Sequence, residues 1–305
     1  MDKHTIINLQ RFRNYASRIF SKLGEDDDFE DDGDEARNVA VLLMSEYMDI
    51  QSIDDDAEDF TLQLNKSNEK FVSFTVNDTL VYISPYSDIS KAMFSVMNKL
   101  QDKMSFVPKL TLLSFRYRHI TWYCSECEFI YGDQLTPQTP ESTVQDILKC
   151  RDTLSKLEIT DNIHDDGNNA YTEDMNKLQS YKQYLPILLI GKLSNIINGM
   201  DAGDRKLRHN NLWSDNIICS ESGVYFVDWK YADYTCRMTD EAILLTSDNP
   251  HIWKHLEFKD CDRLRLDILL VMWYKSKNKN LIVDIAQHVI ASDPLSKWKH
   301  KLTIQ

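Results

Sequence analysis

The sequence predicts an α+β chain of two lobes, a small antiparallel sheet followed by a mainly helical half, with a further helical extension in front. Three observations carry this. Between Asp59 and Tyr86 the segments DFTLQLN, EKFVSFTV and DTLVYISPY alternate or run β-branched and aromatic between short polar turns, which is the pattern of a three-stranded meander. Leu110–Ile130 adds two more strands. From Pro140 onward predicted helices dominate, interrupted by one β-hairpin over Asn216–Asp228. Strands first and helices afterwards is the order expected of segregated α+β layers.

The expected division is a helical extension over residues 1–56, a sheet-rich lobe with its connecting segment over 57–135, and a helical lobe over 136–305. In the extension, Ile6–Leu23 and Ala36–Asp49 have helical spacing and flank an acidic run, GEDDDFEDDGDE at Gly24–Glu35. An EF-hand register beginning at Asp28 puts Gly33 at loop position six, but Glu30 and Val39 then fall at positions three and twelve. Position twelve needs a bidentate glutamate, so a solvated acidic loop is the better reading. Ser87–Lys103, Thr143–Leu157, Asp174–Gly199 and Asp262–Ser276 are predicted helices, and TDNIHDDGNN at Thr160–Asn169 is a predicted surface loop.

Composition narrows the function classes. The 305 residues are 42% apolar and 27% charged, as in a soluble globular protein. The longest apolar stretches, Tyr184–Leu193 and Leu266–Tyr274, are too short to span a bilayer. The opening MDKHTIINLQRFRN has no apolar signal region, so a cytoplasmic or nuclear location is expected. A net charge of −13 argues against nucleic-acid and anionic-membrane partners, which need clustered Lys and Arg. Cys124 and Cys127 form a lone CxxC within strand-like sequence, with no second pair at zinc spacing, and are expected to be ordinary thiols. His251 and His255, four apart, are expected on a short surface helix, with a metal pair as the alternative.

The chemistry is concentrated in LRHNNLWSDNIICSESGVYFVDWKYADY. A hairpin centred on Ser222 pairs Ser220 with Val224, Ile218 with Phe226 and Asn216 with Asp228. Cross-strand partners lie about 5 Å apart, so the Asn216 amide and the Asp228 carboxylate would emerge together. Two hard oxygen donors are the usual protein share of a Mg²⁺ site completed by phosphates and water.

These residues resemble the aminoglycoside phosphotransferase, choline kinase and fructosamine kinase superfamily, whose fold is protein-kinase-like. Its members carry H-[GN]-D-L-x-x-x-N and, about ten residues on, a strand ending I-D-[WFP]. Here the order is His209-Asn210-Asn211-Leu212-Trp213-Ser214-Asp215-Asn216 and then Phe226-Val227-Asp228-Trp229. Lys230–Leu245 is similar to the family's E-Y-A-x-Y-G-x-x-x-x-D-L-A stretch, and Val107–Leu135 to its strand and interlobe hinge. The resemblance covers roughly Asp59–Ser276. It implies Mg²⁺ and ATP as cofactors, Asn216 and Asp228 as metal ligands, and His209 as a brace for the loop. It places the adenine edge at Glu128, Phe129 and Ile130, within the hinge Glu128–Asp133.

The chain departs from this pattern in three places. Asn211 stands where the family has its catalytic aspartate, and a neutral amide can orient a hydroxyl but is too weak a base to take its proton. No GxGxxG is present, and the family's looser G-G-x-x-N turn is matched only by Ser67 and Asn68, with Lys66 or Lys70 nearby. Ile83 falls at the phosphate-binding Lys or Arg of the third strand, and the partner glutamate is missing from SDISKAMFSVMNKL, where Lys91 is the charge in the middle. An aliphatic side chain cannot compensate phosphate charge.

Three functions follow as expectations. The first is a pseudokinase that binds Mg–ATP or a partner with little transfer. The second is an active phosphotransferase on a hydroxyl- or amine-bearing small molecule, Asn211 being then an introduced inactivating change, which would not explain Ile83. The third is a protein-docking module using the acidic N-terminal region. Asp233, Asp240, Trp229 and Trp273 are candidates for an acidic and aromatic acceptor pocket.

Overall fold

A computed structural model describes residues 43–44, 47–48, 51, 62–68, 71–84, 96–117, 120–157, 176, 178, 185–199, 205–276 and 278–302. The acidic run, the expected helix Ile6–Leu23, the expected loop Thr160–Asn169, Lys70 and Lys91 lie outside them. The chain forms two compact units, Met1–Ile130 and Tyr131–Gln305.

The first unit is built on β1 (Leu62–Asn68), β2 (Phe71–Val76), β3 (Thr79–Ser84), β4 (Leu110–Tyr117) and β5 (Ile120–Glu128). They form one antiparallel sheet in the order β1-β2-β3-β5-β4. The expected meander and the two added strands are both present. Asn77 takes a left-handed φ of 49° in the two-residue turn joining β2 to β3, a conformation that asparagine tolerates better than most residues.

Cross-strand partners share a sheet face, so Phe74, Val81 and Ile83 form one fully buried stripe with Cys124. Helical residues Leu43, Met44, Tyr47 and Met48 of the N-terminal extension are also buried. The Tyr47 ring meets Phe74 edge-on at 5.4 Å, and its hydroxyl donates to Glu126 at 2.7 Å. Tyr47 therefore packs onto this sheet. Cys124 and Cys127, three residues apart on β5, point to opposite faces, as strand geometry demands. Burial pushes both thiols up, Cys127 to about 12, so they stay protonated near neutral pH.

In the second unit, helix Glu141–Ser155 buries Val144, Ile147, Leu148, Arg151 and Leu154, the i, i+3, i+4, i+7 stripe of an amphipathic helix. Helix Asp262–Ser276 spans the expected residues. Helix Lys279–Ile290 begins at Asn278, whose side chain accepts from the N–H groups of Asn280 and Leu281. One expectation is corrected. Asp174–Gly199 is not a single helix: the chain bends at Leu185, and a helix runs over Ile187–Gly199. Pro186 explains the break, because proline lacks the N–H and disfavours helical backbone in the residue before it.

The remaining strands are short. β6 (Asp133–Gln134), β8 (Ile217–Ser220) and β9 (Gly223–Phe226) form one small sheet, while β7 (Lys206–Arg208) pairs with β10 (Asp233–Thr235). Gly132 leads into β6 with its Cα against β8. A methyl group there would lie 2.8 Å from the Cys219 carbonyl carbon and 2.9 Å from Ile218 Cγ2, both nearer than real Cβ contacts. Gly132→Ala is therefore expected to separate β6 from β8 and to cost about 2 kcal/mol, the range for overpacking. A urea midpoint unchanged from wild type would contradict that.

Candidate functional site

The hairpin register is the first correction at the site. β8 and β9 pair Ile217 with Phe226, Cys219 with Val224 and Ser220 with Gly223, one residue away from the expected alignment. Ser220 at the first and Gly223 at the fourth position of the turn, with no positive φ at Glu221 or Ser222, are the marks of a two-residue type I connection. Asn216 then lies opposite Val227, whose N–H donates to the Asn216 carbonyl at 3.0 Å, and not opposite Asp228. Asn216 closes a 3₁₀ turn, Ser214–Asn216, and Asp228 follows β9 in left-handed backbone, φ 63° and ψ 58°. Both residues meet Asn211, Asp228 through the Asn211 side chain and Asn216 through the Asn211 carbonyl, and they share no rung of the ladder.

Pairing of β7 with β10 sets Arg208 opposite Asp233 and delivers His209, Asn210 and Asn211 in succession. His209 is fully buried, with its ring 4.5 Å from Trp229 and 6.0 Å from Phe226, both edge-on. The Trp229 indole N–H donates to the Phe226 carbonyl at 2.6 Å. Burial holds the imidazole neutral, with its pKa down at about 3; the Val227 carbonyl pulls weakly the other way, and neither ring nitrogen makes a well-aligned hydrogen bond. His209 is thus part of the apolar floor beneath the loop.

Asn210 adopts φ 59° and donates through its side chain to the Tyr231 carbonyl at 3.1 Å. The backbone N–H groups of His209 and Asn210 both donate to the Asp240 carboxylate, at 2.9 and 2.7 Å. Asp240 is 1% exposed, which removes it from any acceptor pocket, and Trp229 is fully buried and leaves it too. The sequence had offered Asp240 only as a candidate for an acceptor pocket. The signal for its real task was the aspartate in the family's D-L-A stretch.

Burial, helped by neighbouring Glu241, lifts the Asp240 pKa to about 6, while Arg208 and the two N–H groups oppose the rise. This has a pH signature. Below about 6.5 the unfolded chain protonates His209 and the folded one does not until about 3, so acid removes stability across that window. Asp240 has the reverse sign. From about 6 down to its ordinary 3.8 the folded chain holds a proton that the unfolded one lacks, so acid adds stability there. The two slopes offset each other between about pH 6 and 4. In Asp240→Asn only the His209 slope remains of the two, so stability relative to wild type should fall as the pH drops through that window, by roughly 1 kcal/mol per pH unit. Urea unfolding at three pH values checks this, and parallel profiles would contradict it.

Asn211 is buried and donates through Nδ2 to Asp228 twice, to Oδ2 at 2.9 Å and to the backbone carbonyl at 3.4 Å. Both contacts are acceptors, so the orientation of the amide follows from its partners. Asn216 Nδ2 donates in turn to the Asn211 carbonyl at 2.8 Å, which leaves Oδ1 as the Asn216 atom suited to a cation. Asp215 is exposed within the 3₁₀ turn. Beside the loop, Trp213 lies tilted against exposed Tyr274, ring centroids 5.6 Å apart.

The other expected residues belong to the first unit. Ser67 and Asn68 stand in β1, paired with Val72 and Phe71. The N–H groups of Glu128 and Phe129 are used within the unit, donating to the carbonyls of Lys109 and Asp78. An adenine edge read here would have to use carbonyls or the Ile130 N–H. Ile83 is fully buried in the sheet stripe. In the second unit, His251 and His255 both face Glu141, and Lys254 donates to the same carboxylate at 2.6 Å. The bonds from Lys254 and His255 hold Glu141 down at about 2, and the carboxylate gives both histidines a partner. No cluster of three or more His, Cys, Asp or Glu arranged for a metal occurs among the described residues, and no helix among them is long and apolar enough to cross a membrane.

Comparisons with known proteins bear on this arrangement. No protein-family model matches the chain. The curated "Protein LicA homolog" of Mycoplasma capricolum subsp. capricolum is 24% identical over 204 residues, 65% of this chain and 74% of that protein. Among solved structures, choline kinase LicA from Streptococcus pneumoniae superposes with a TM-score of 0.52 at 14% identity, covering 82% of this chain and 98% of the other. A GDP and kanamycin complex of APH(2″)-IIia gives 0.55 at 12% identity over 82% and 98%. A thermostable mutant of aminoglycoside phosphotransferase APH(4)-Ia, in ternary complex with ADP and hygromycin B, gives 0.54 at 13% over 76% and 94%. This chain has the fold of the aminoglycoside phosphotransferases and choline kinases. Within that kinase-like fold, the loop of His209–Asn211 and the turns holding Asn216 and Asp228 are the candidate site.

Proposed function

We propose that this chain is a kinase-like nucleotide-binding protein that transfers the phosphoryl group of ATP little or not at all. The observation that carries this is the state of Asn211. Its amide hydrogens are committed to Asp228, leaving Oδ1 as the atom that could face a substrate hydroxyl. That oxygen can accept a hydrogen bond and hold a hydroxyl in place, but it cannot take up the proton.

The donor set fits a divalent cation. Asn216 Oδ1 and the Asp228 carboxylate are hard oxygens, and the bond from Asn216 Nδ2 to the Asn211 carbonyl fixes the amide plane. When bound, Mg²⁺ would neutralise phosphate charge. The protein's own part is separate. His209 and Trp229 keep the loop floor dry, Asp240 fixes the backbone of His209 and Asn210, and Asn211 ties the loop to Asp228. On the first unit we assign the adenine edge to Glu128–Ile130 and a phosphate-side role to Ser67 and Asn68. With Ile83 buried, no Lys or Arg stands at that position of β3. The nucleotide-bearing complexes among the structural neighbours support the nucleotide half of the reading.

Thermal stability measured alone, with ATP and with Mg–ATP tests it. A nucleotide at ~100 times its dissociation constant adds roughly 2.7 kcal/mol. A rise with either form supports nucleotide binding, and no change with both would overturn it.

A further inference from the structure

We propose that the Asn211 amide does at Asp228 part of what a divalent cation would do, so that this site no longer depends on metal to hold Asp228 in place. The proposal rests on the reading of Asn216 and Asp228 as the metal side of a nucleotide site.

Start from the geometry. Asn211 Nδ2 lies 2.9 Å from Asp228 Oδ2 and reaches the Asp228 carbonyl at 3.4 Å. Its own carbonyl accepts from Asn216 Nδ2 at 2.8 Å. One residue thus touches both candidate ligands, through its side chain on one and its backbone on the other. Asp228 sits in left-handed backbone, which is costly for a non-glycine residue and has to be held by its surroundings. The two bonds from Asn211 hold it from both sides of its Cα.

Now exchange the amide for a carboxylate. An aspartate at 211 would put an oxygen about where Nδ2 is, some 3 Å from Asp228 Oδ2, and two carboxylates at such a distance resist joint ionisation. A cation bound between them relieves that repulsion, so its affinity rises with the second charge. Asparagine reverses each term. The trio Asn211, Asn216 and Asp228 carries one formal charge in place of two. The Asp228 oxygen already has an N–H donor, and a cation taking that oxygen must displace it. Metal affinity should therefore drop, while the geometry survives without metal.

Two variants and one probe decide it. Mn²⁺ alone is titrated by calorimetry into the full chain, into Asn211→Asp and into Asn211→Ala, with folding checked by circular dichroism. Asn211→Asp is expected to bind Mn²⁺ at least ~10-fold more tightly than wild type, because a second charge faces the cation. Asn211→Ala adds no charge but removes one N–H donor from the Asp228 oxygen, and is expected to bind more tightly than wild type by a smaller factor. Equal Mn²⁺ affinity in wild type and Asn211→Ala would overturn the proposal, because the amide would then not be competing; equal affinity in wild type and Asn211→Asp would do the same. ADP titrated in EDTA and in Mg²⁺ is the companion measurement. Wild-type affinities within ~3-fold of each other are expected, and a loss of ~10-fold or more in EDTA would count against the proposal. If ADP binds to no form under any condition, the nucleotide reading fails, while the Mn²⁺ comparison still decides what Asn211 does.

Discussion

Glu241→Ala is expected to destabilise the second unit by about 3–5 kcal/mol, the range for removing one partner of a buried ionic group. Glu241 is 2% exposed, and its Oε1 accepts from Arg208 at 2.7 Å and also from Arg151. Arg151 lies on helix Glu141–Ser155, Arg208 ends β7, and Glu241 is in the first turn of helix Thr239–Leu245. One carboxylate thus joins three elements. Alanine would leave two guanidinium groups buried with less compensation, and Arg208 immediately precedes His209. The same substitution should therefore loosen the loop that Asp240 anchors from the adjacent position. Urea unfolding measures the loss, and a change below about 1 kcal/mol would show that solvent or Asp152 takes over the counter-charge.

Asn211→Asp is expected to raise phosphoryl transfer from Mg–ATP by about 10²-fold or more over wild type, within the 10²–10⁴ range for a positioned general base. The rate should still fall short of an ordinary kinase. An aspartate can take a proton, but it adds no phosphate-binding cation at Ile83 and no glycine loop near Ser67 and Asn68. Positioning and charge compensation on the phosphates supply most of the catalysis in phosphoryl transfer. Product formation against a panel of choline, an aminoglycoside and a ketosamine measures the gain. A variant no faster than wild type would show that the first-unit losses alone block transfer. A wild type already turning over at 1–100 s⁻¹, the usual kinase range, would remove the case for an impaired site.

The sheet and the long helices were legible because their signals are local. The β-branched and aromatic run FVSFTV and the long apolar run without Gly or Pro in DRLRLDILLVMWYKS depend on neighbours in sequence, and both segments adopt the expected form. The break at Pro186 was also local, but apolar residues continue on both sides of it and hid the boundary. The hairpin register failed for a finer reason. A three-residue connection centred on Ser222 and a two-residue turn at Glu221–Ser222 differ by one residue, and Ser220 with Gly223 selects the shorter one.

At the site, motif order located His209, Asn211, Asn216 and Asp228, but it could not show what Asn211 touches. In the sequence it is a lost base. In the structure it is also a donor bonded to the carboxylate expected to hold metal. Asp240 and Glu241 were harder still. Asp240 read as a candidate for an acceptor pocket and Glu241 carried no signal of its own, and only the pairing of β7 with β10 and the packing of helix Thr239–Leu245 bring them under the loop. Burial then converts one into a backbone anchor and the other into a counter-ion for two arginines.

The most direct test is a single-turnover measurement. Wild-type protein in excess over γ-labelled ATP, with Mg²⁺ and the same acceptor panel, is followed for both bound label and transferred label. The expected result is label bound to the protein as unconverted ATP, with transfer near background. Rapid appearance of label on an acceptor, or no label bound at any protein concentration, would contradict it.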